Sequence, residues 1–150
     1  MASASTRGFL GFLAAAISVV TLQQGMVEAL HLVGLVTLTP YRVSPIPPFG
    51  IPAIVNLCFW DGLYGVVFGL LLPRFTLPVW LCGLITGMIA ALVGMFVLAA
   101  LKGVPIASGW QVWPITRSLL VHGTWGLGLG LILPLLLPRP LSRSAHGTVA

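Results

Sequence analysis

Four long apolar stretches, over residues 9–38, 51–72, 79–101 and 114–137, decide what this 150-residue chain can fold into. Crossing a ~30 Å hydrocarbon core takes roughly 20 helical residues, and each stretch reaches that length. In lipid the backbone must satisfy its own hydrogen bonds, which a helix does within one segment. Charge points the same way: 6% of the residues are charged, against about a quarter in a soluble domain. The sequence therefore predicts an all-α membrane protein, a four-transmembrane-helix bundle. It forms one domain over 1–150, with helices over about 9–38, 53–72, 79–101 and 114–137.

A net charge of +5 raises nucleic acid as a partner, but the placement of that charge excludes it. Arg7, Arg42, Arg74, Lys102, Arg117, Arg139 and Arg143 stand singly near helix ends, whereas a nucleic-acid footprint clusters on one face. The partner they suit is the lipid interface. Arg7, Arg74, Arg139 and Arg143 fall on the N-terminal side and Arg42, Lys102 and Arg117 on the other, which leans toward both termini being cytoplasmic. Tyr41, Phe49, Trp110 and Trp113 then form an outer aromatic belt, with Trp80 on the inner side. A basic residue followed by an apolar run also suits a signal peptide. No convincing small-x-small cleavage site precedes the polar stretch, however, and apolar residues resume after it, so a retained first helix is expected. Cys58 and Cys82 lie near the starts of consecutive, oppositely directed helices. That separates them beyond the ~7 Å between Cα atoms that a disulfide allows.

Trp60–Arg74 and Trp125–Arg139 echo each other at an offset of 65 residues, sharing a tryptophan, a glycine and the closing LLLPR. Pro40 and Pro105 share the offset, which suggests a duplicated helical hairpin. Membrane helices associate through close contact of small residues. Gly83, Gly87, Ala90 and Gly94 share one face of the third helix, Gly65 and Gly69 one face of the second, and Gly126 and Gly130 one face of the fourth. Asp61 and His122 head the last two stripes, which places them inside the bundle.

The polar chemistry gathers around the stretch QQGMVEALH. Gln24, Glu28 and His31 are spaced i, i+4 and i+7, within about 60° of one helix face. Counted from the helix ends, Asp61, His122 and Arg117 fall at matching depth, so five ionisable residues from three helices converge on one half of the membrane. A charge near the bilayer centre costs roughly 2.5–3.5 kcal/mol. Glu28 and Asp61 are therefore expected to pair with Arg117 and one or both histidines.

The cluster suits some chemistries and not others. Glu28–His31 has the Glu-x-x-His spacing of di-iron bundles, but those need two such motifs and two further glutamates. Two acidic residues in the whole chain exclude that metal site. Haem b between His31 and His122 is geometrically conceivable, as both lie at similar depth. Proton or ion passage through an oligomer could use the carboxylates and histidines as relays. No nucleophilic dyad or oxyanion loop is present, and no catalytic residue is assigned. The remaining reading is a buried salt-bridge and hydrogen-bond network that fixes helix register. A first helix of about 30 residues, ~45 Å long, is followed by five prolines over Pro40–Pro52. An over-long apolar helix of that kind suggests a docked surface, hence a non-enzymatic accessory or assembly subunit, partnered by other membrane proteins or by copies of itself.

The motifs HLVGL, PIPPFGIPAIVN, FWDGLYGVVFGLLLPR and HGTWGLGLGL span nearly the whole chain. They resemble those of a group of small bacterial integral membrane proteins with four helices. That resemblance implies an inner-membrane location and no particular activity.

Overall fold

A computed structural model describes residues 2–138 of the chain. The first helix, α1, covers Ala4–Leu32. Ser3 caps its start, its hydroxyl accepting from the Thr6 N–H at 3.1 Å. Gly34, at φ 74°, ends it: the Leu35 N–H reaches Leu30 O and the Gly34 N–H reaches His31 O, both at 2.9 Å. This is a Schellman closure, which needs a left-handed residue after the helix. The helix expected over 9–38 therefore starts and stops earlier, because apolar run length registers neither the serine cap nor the glycine stop. Residues 33–38 belong to the connection, not to a projecting helix.

Inside α1 the residues Val19–Gln23 form a π turn, in which the Gln24 N–H reaches Val19 O, five residues back. Val19, Val20 and Thr21 are β-branched, which disfavours a regular helical turn at that point. The connection that follows is not wholly irregular: β1 (Pro45–Ile46) and β2 (Ile51–Pro52) pair as a short antiparallel hairpin. Then come α2 (Ala53–Arg74), α3 (Val79–Leu101), a single helical turn at Ala107–Trp110, and α4 (Val112–Leu136). Pro52 and Pro78 immediately precede α2 and α3, where a missing N–H removes no helical bond. A second π turn, Val93–Leu98, lies in α3. All four helices are long and apolar enough to cross a membrane, with mean hydropathy from 1.6 to 2.5.

Glycines decide how the helices meet. A Cβ on Gly65 would strike Gly11 O, and one on Gly69 would strike Arg7 O, so α1 and α2 touch backbone to backbone, antiparallel. Gly83 and Gly126 approach each other in the same way, while Gly87 faces His122 O and Gly130 lies against Val79 and Trp80, which joins α3 to α4. Helices α1 and α4 pack together, whereas α2 and α3 barely touch. The helices thus lie in the order α2–α1–α4–α3. Gly94 departs from its expected role: a Cβ there would meet nothing within 4 Å. The buried stripe of α3 passes instead through Ala91, Met95 and Ala99, because the second π turn changes the face presented. Ala14, Ala15, Val19, Phe68, Trp125, Leu129 and Leu133 form the centre of the core.

Candidate functional site

The π turn in α1 builds the site. It turns two successive side chains inward, Gln23 at 2% exposure and Gln24 at 6%. Gln23 Nε2 donates to Asp61 Oδ2 on α2 at 3.1 Å. Gln24 Oε1 accepts from the Tyr41 backbone N–H at 2.7 Å. With the Gln24 N–H drawn back to Val19 O, the Val20 carbonyl loses the amide four residues on, and Tyr41 Oη donates to it at 3.0 Å. One loop tyrosine therefore holds both the glutamine and the irregular turn.

Helix α4 closes the other side. Ser18 Oγ donates to Trp125 O at 2.6 Å, and Trp125 Nε1 donates to Ala15 O at 3.2 Å, both pairs fully buried. The Trp125 ring meets the ring of Tyr64 on α2 edge-on, with centroids 6.2 Å apart. One turn before Trp125 on α4, His122 Nδ1 lies 2.9 Å from Ser118 O.

Between these elements lies a cavity of about 310 Å³. Its polar wall comes from Gln23, Gln24, Thr39, Arg42, Asn56 and His122, and the rest is aliphatic. A smaller cavity of about 170 Å³ shares Val27, Leu38, Val121 and His122 with it and extends to Ser118 and Arg117. On the far side of Asp61 the interior is apolar, filled by Phe68, Leu129 and Leu133 against the glycine crossing.

Gln24 and His122 line the larger cavity, Arg117 lines the smaller one from an exposed position, and Asp61 is buried behind Gln23. Glu28 and His31 are half-buried and line neither. His31 Nδ1 instead lies 3.1 Å from Val36 O at the helix end. The inward stripe on this part of α1 runs through Gln23, Val27 and Leu30. That is one residue, or about 100°, away from the stripe expected through Gln24, Glu28 and His31. Among the described residues the expected ion pairs are accordingly not made, and Asp61 is met by a carboxamide. His31 and His122 do not face one cavity, so they are not arranged to hold a haem between them. Among the described residues no three His, Cys, Asp or Glu side chains gather as a metal site. Arg139 and Arg143 lie outside the described residues.

Sequence reasoning missed Gln23, Ser18, Tyr41, Arg42 and Asn56. The β-branched run ahead of Gln23 was the one available signal for the turn that redirects it. Nothing local marked Arg42, which a folded-back connection brings to the cavity. The chain matches no family model, no curated protein and no solved structure.

Proposed function

We propose that this chain is a four-span integral membrane protein of the bacterial inner membrane, with both termini cytoplasmic. In this reading it has no reaction of its own and serves as an accessory or assembly subunit of a larger membrane complex. The observation that supports this is where its interior polar groups go. Ser18, Gln24, Trp125, His31 and His122 all bond to backbone groups of the same chain, and Gln23 bonds to Asp61. Such side chains hold a fold in place. A proton or ion conduit through one copy finds no support, because the apolar core beyond Asp61 offers no onward polar group. The open row of helices suits a subunit: Phe59, Leu63 and Val67 on α2 and Ile85, Ile89 and Leu92 on α3 stay exposed. A bundle closed on itself would cover more of them.

The two halves also read as a duplicated hairpin. Gly65 packs on Ala15 and Gly130 packs on Trp80, and both the glycines and their neighbours stand one 65-residue offset apart.

Purification from native membranes in mild detergent tests this reading, after an alkaline carbonate wash to confirm integral insertion. A stoichiometric partner found by mass spectrometry is the expected result, with a colourless preparation. A clean homo-oligomer would sink the accessory reading and promote an oligomeric pathway, and a Soret band would promote haem.

A further inference from the structure

The larger cavity has hydrogen-bond donors that the chain itself does not use. Gln24 lines it and is 6% exposed. Its Oε1 is taken by the Tyr41 backbone N–H at 2.7 Å, a group that only donates, so the amide cannot be turned over. Nε2 is therefore fixed as a donor. It has no hydrogen-bond partner among the described residues, yet it is not sealed from solvent as Gln23 Oε1 is. Asn56, also on the wall, is fixed in the same manner: Trp60 Nε1 only donates and holds Asn56 Oδ1 at 3.2 Å, which leaves Nδ2 to donate elsewhere. The backbone brings a cation beside them. Arg42 directly follows Tyr41, and its carbonyl accepts from the Ile54 N–H at 2.9 Å in the first turn of α2. Arg42 lines the cavity and is exposed, so it stands at the mouth. The smaller adjoining cavity has a second exposed cation, Arg117, and among the described residues no Asp or Glu lines either one. Val27, Leu57 and Val121 are part of the aliphatic remainder, and about 310 Å³ is within the usual range for a small-molecule site.

We propose that this cavity binds a phospholipid of net negative charge, whose phosphate oxygens accept from Arg42 and Gln24 Nε2 while the start of an acyl chain lies along Val27, Leu57 and Val121. The inference rests on the membrane reading above, since the bilayer supplies the ligand. Phosphodiester oxygens only accept, which matches a wall where the fixed amides and the guanidinium only donate. Basic pockets between spanning helices are suited to such head groups. A free phosphate would meet the same donors and leave the aliphatic wall unused, so the lipid is the better fit. A zwitterionic lipid brings its own cation next to the phosphate, and that cation is repelled by Arg42 with no carboxylate on the wall to receive it. The site therefore selects by head-group charge.

The test is native mass spectrometry of the full chain, stripped of lipid in mild detergent and titrated with phosphatidylglycerol or with phosphatidylcholine of the same acyl chains. The expected result is one phosphatidylglycerol retained per chain, with phosphatidylcholine at least about tenfold weaker, since one hydrogen bond to a charged group is worth about that factor. Arg42→Gln, at an exposed loop position, weakens phosphatidylglycerol about tenfold and brings the two lipids together. Arg74→Gln removes the same charge at the other end of α2, outside both cavities, and leaves both affinities unchanged. Leu38→Trp, at a 40% exposed loop position lining both cavities, blocks binding and leaves the helices intact. Glycerol 1-phosphate, the head group without its chains, does not displace the lipid at equal concentration. Equal affinity for the two lipids, retention of neither, equal losses in Arg42→Gln and Arg74→Gln, full binding in Leu38→Trp, or displacement by glycerol 1-phosphate would each overturn the proposal. If the protein also stays in carbonate-washed membranes, such a failure removes the lipid site and leaves the membrane reading standing.

Discussion

Gln23 and Asp61 meet across α1 and α2, Nε2 to Oδ2 at 3.1 Å, with Asp61 one turn along α2 from Gly65, which closes on Gly11. Neither side chain is dispensable while the other remains. Gln23→Leu strands a buried carboxylate and is expected to cost about 1–3 kcal/mol of stability. Replacing both by leucine removes the unmet group and should recover most of that loss. Unfolding of the purified variants in denaturing detergent gives the coupling, and strictly additive losses would rule the pairing out.

Two glycines on one helix separate packing from mere presence. A Cβ at Gly83 would strike Gly126 O and stand 2.7 Å from Gly130 N, so Gly83→Ala has to push α3 from α4. Overpacking of this kind costs about 1–3 kcal/mol. Gly94 has open space around it, so Gly94→Ala should be neutral or stabilise by up to ~1 kcal/mol through helix propensity. Thermal unfolding in detergent compares them, and similar losses at both sites would contradict the packing described.

These two residues also show what the sequence could reveal. Apolar run length gives the number of long helices, because each run must bury or solvate a whole helical surface. Glycine spacing singles out Gly65, Gly69, Gly83, Gly87, Gly126 and Gly130, and a Cβ at each would clash with a facing helix. The same pattern failed at Gly94, and the polar face of α1 came out one residue off. Gly94 sits in the second π turn, where a uniform 3.6 residues per turn no longer holds, whereas on α1 the apolar Val27 and Leu30 take the buried face and leave Glu28 and His31 half-buried beside it. Gly8 and Gly11, the α1 side of the first crossing, stand three residues apart and lack the four-residue glycine spacing that marks the other helices. The cavity was beyond reach, since Leu38, Thr39, Arg42 and Ile46 of its lining come from a connection that folds back.

Tyr41→Phe isolates the loop's hold on the π turn. The variant keeps the backbone bond to Gln24 and loses only the hydroxyl on Val20 O. About 1 kcal/mol of local stability should go with it. Amide exchange followed by mass spectrometry is expected to speed up around Val19–Gln24 and stay unchanged in α3. A uniform change across the chain would tell against this anchor.

Orientation is open to direct labelling. With Cys58 and Cys82 replaced by alanine, Ser44→Cys reports the connection between α1 and α2, and Thr76→Cys the turn between α2 and α3. Under the proposed topology an impermeant maleimide added to intact cells labels Ser44→Cys alone. Labelling of Thr76→Cys under those conditions would invert the assignment.

The order α2–α1–α4–α3 bears on how the chain assembles. Each consecutive pair is zipped along its own glycines, while the bonds between Ser18 and Trp125 and between Trp125 and Ala15 join the first helix to the last. Each hairpin therefore carries its own helix–helix contact, and α2 and α3, on either side of the turn over residues 75–78, barely touch. Cut there and produced as two separate polypeptides, the halves should find one another in the bilayer and rebuild the whole.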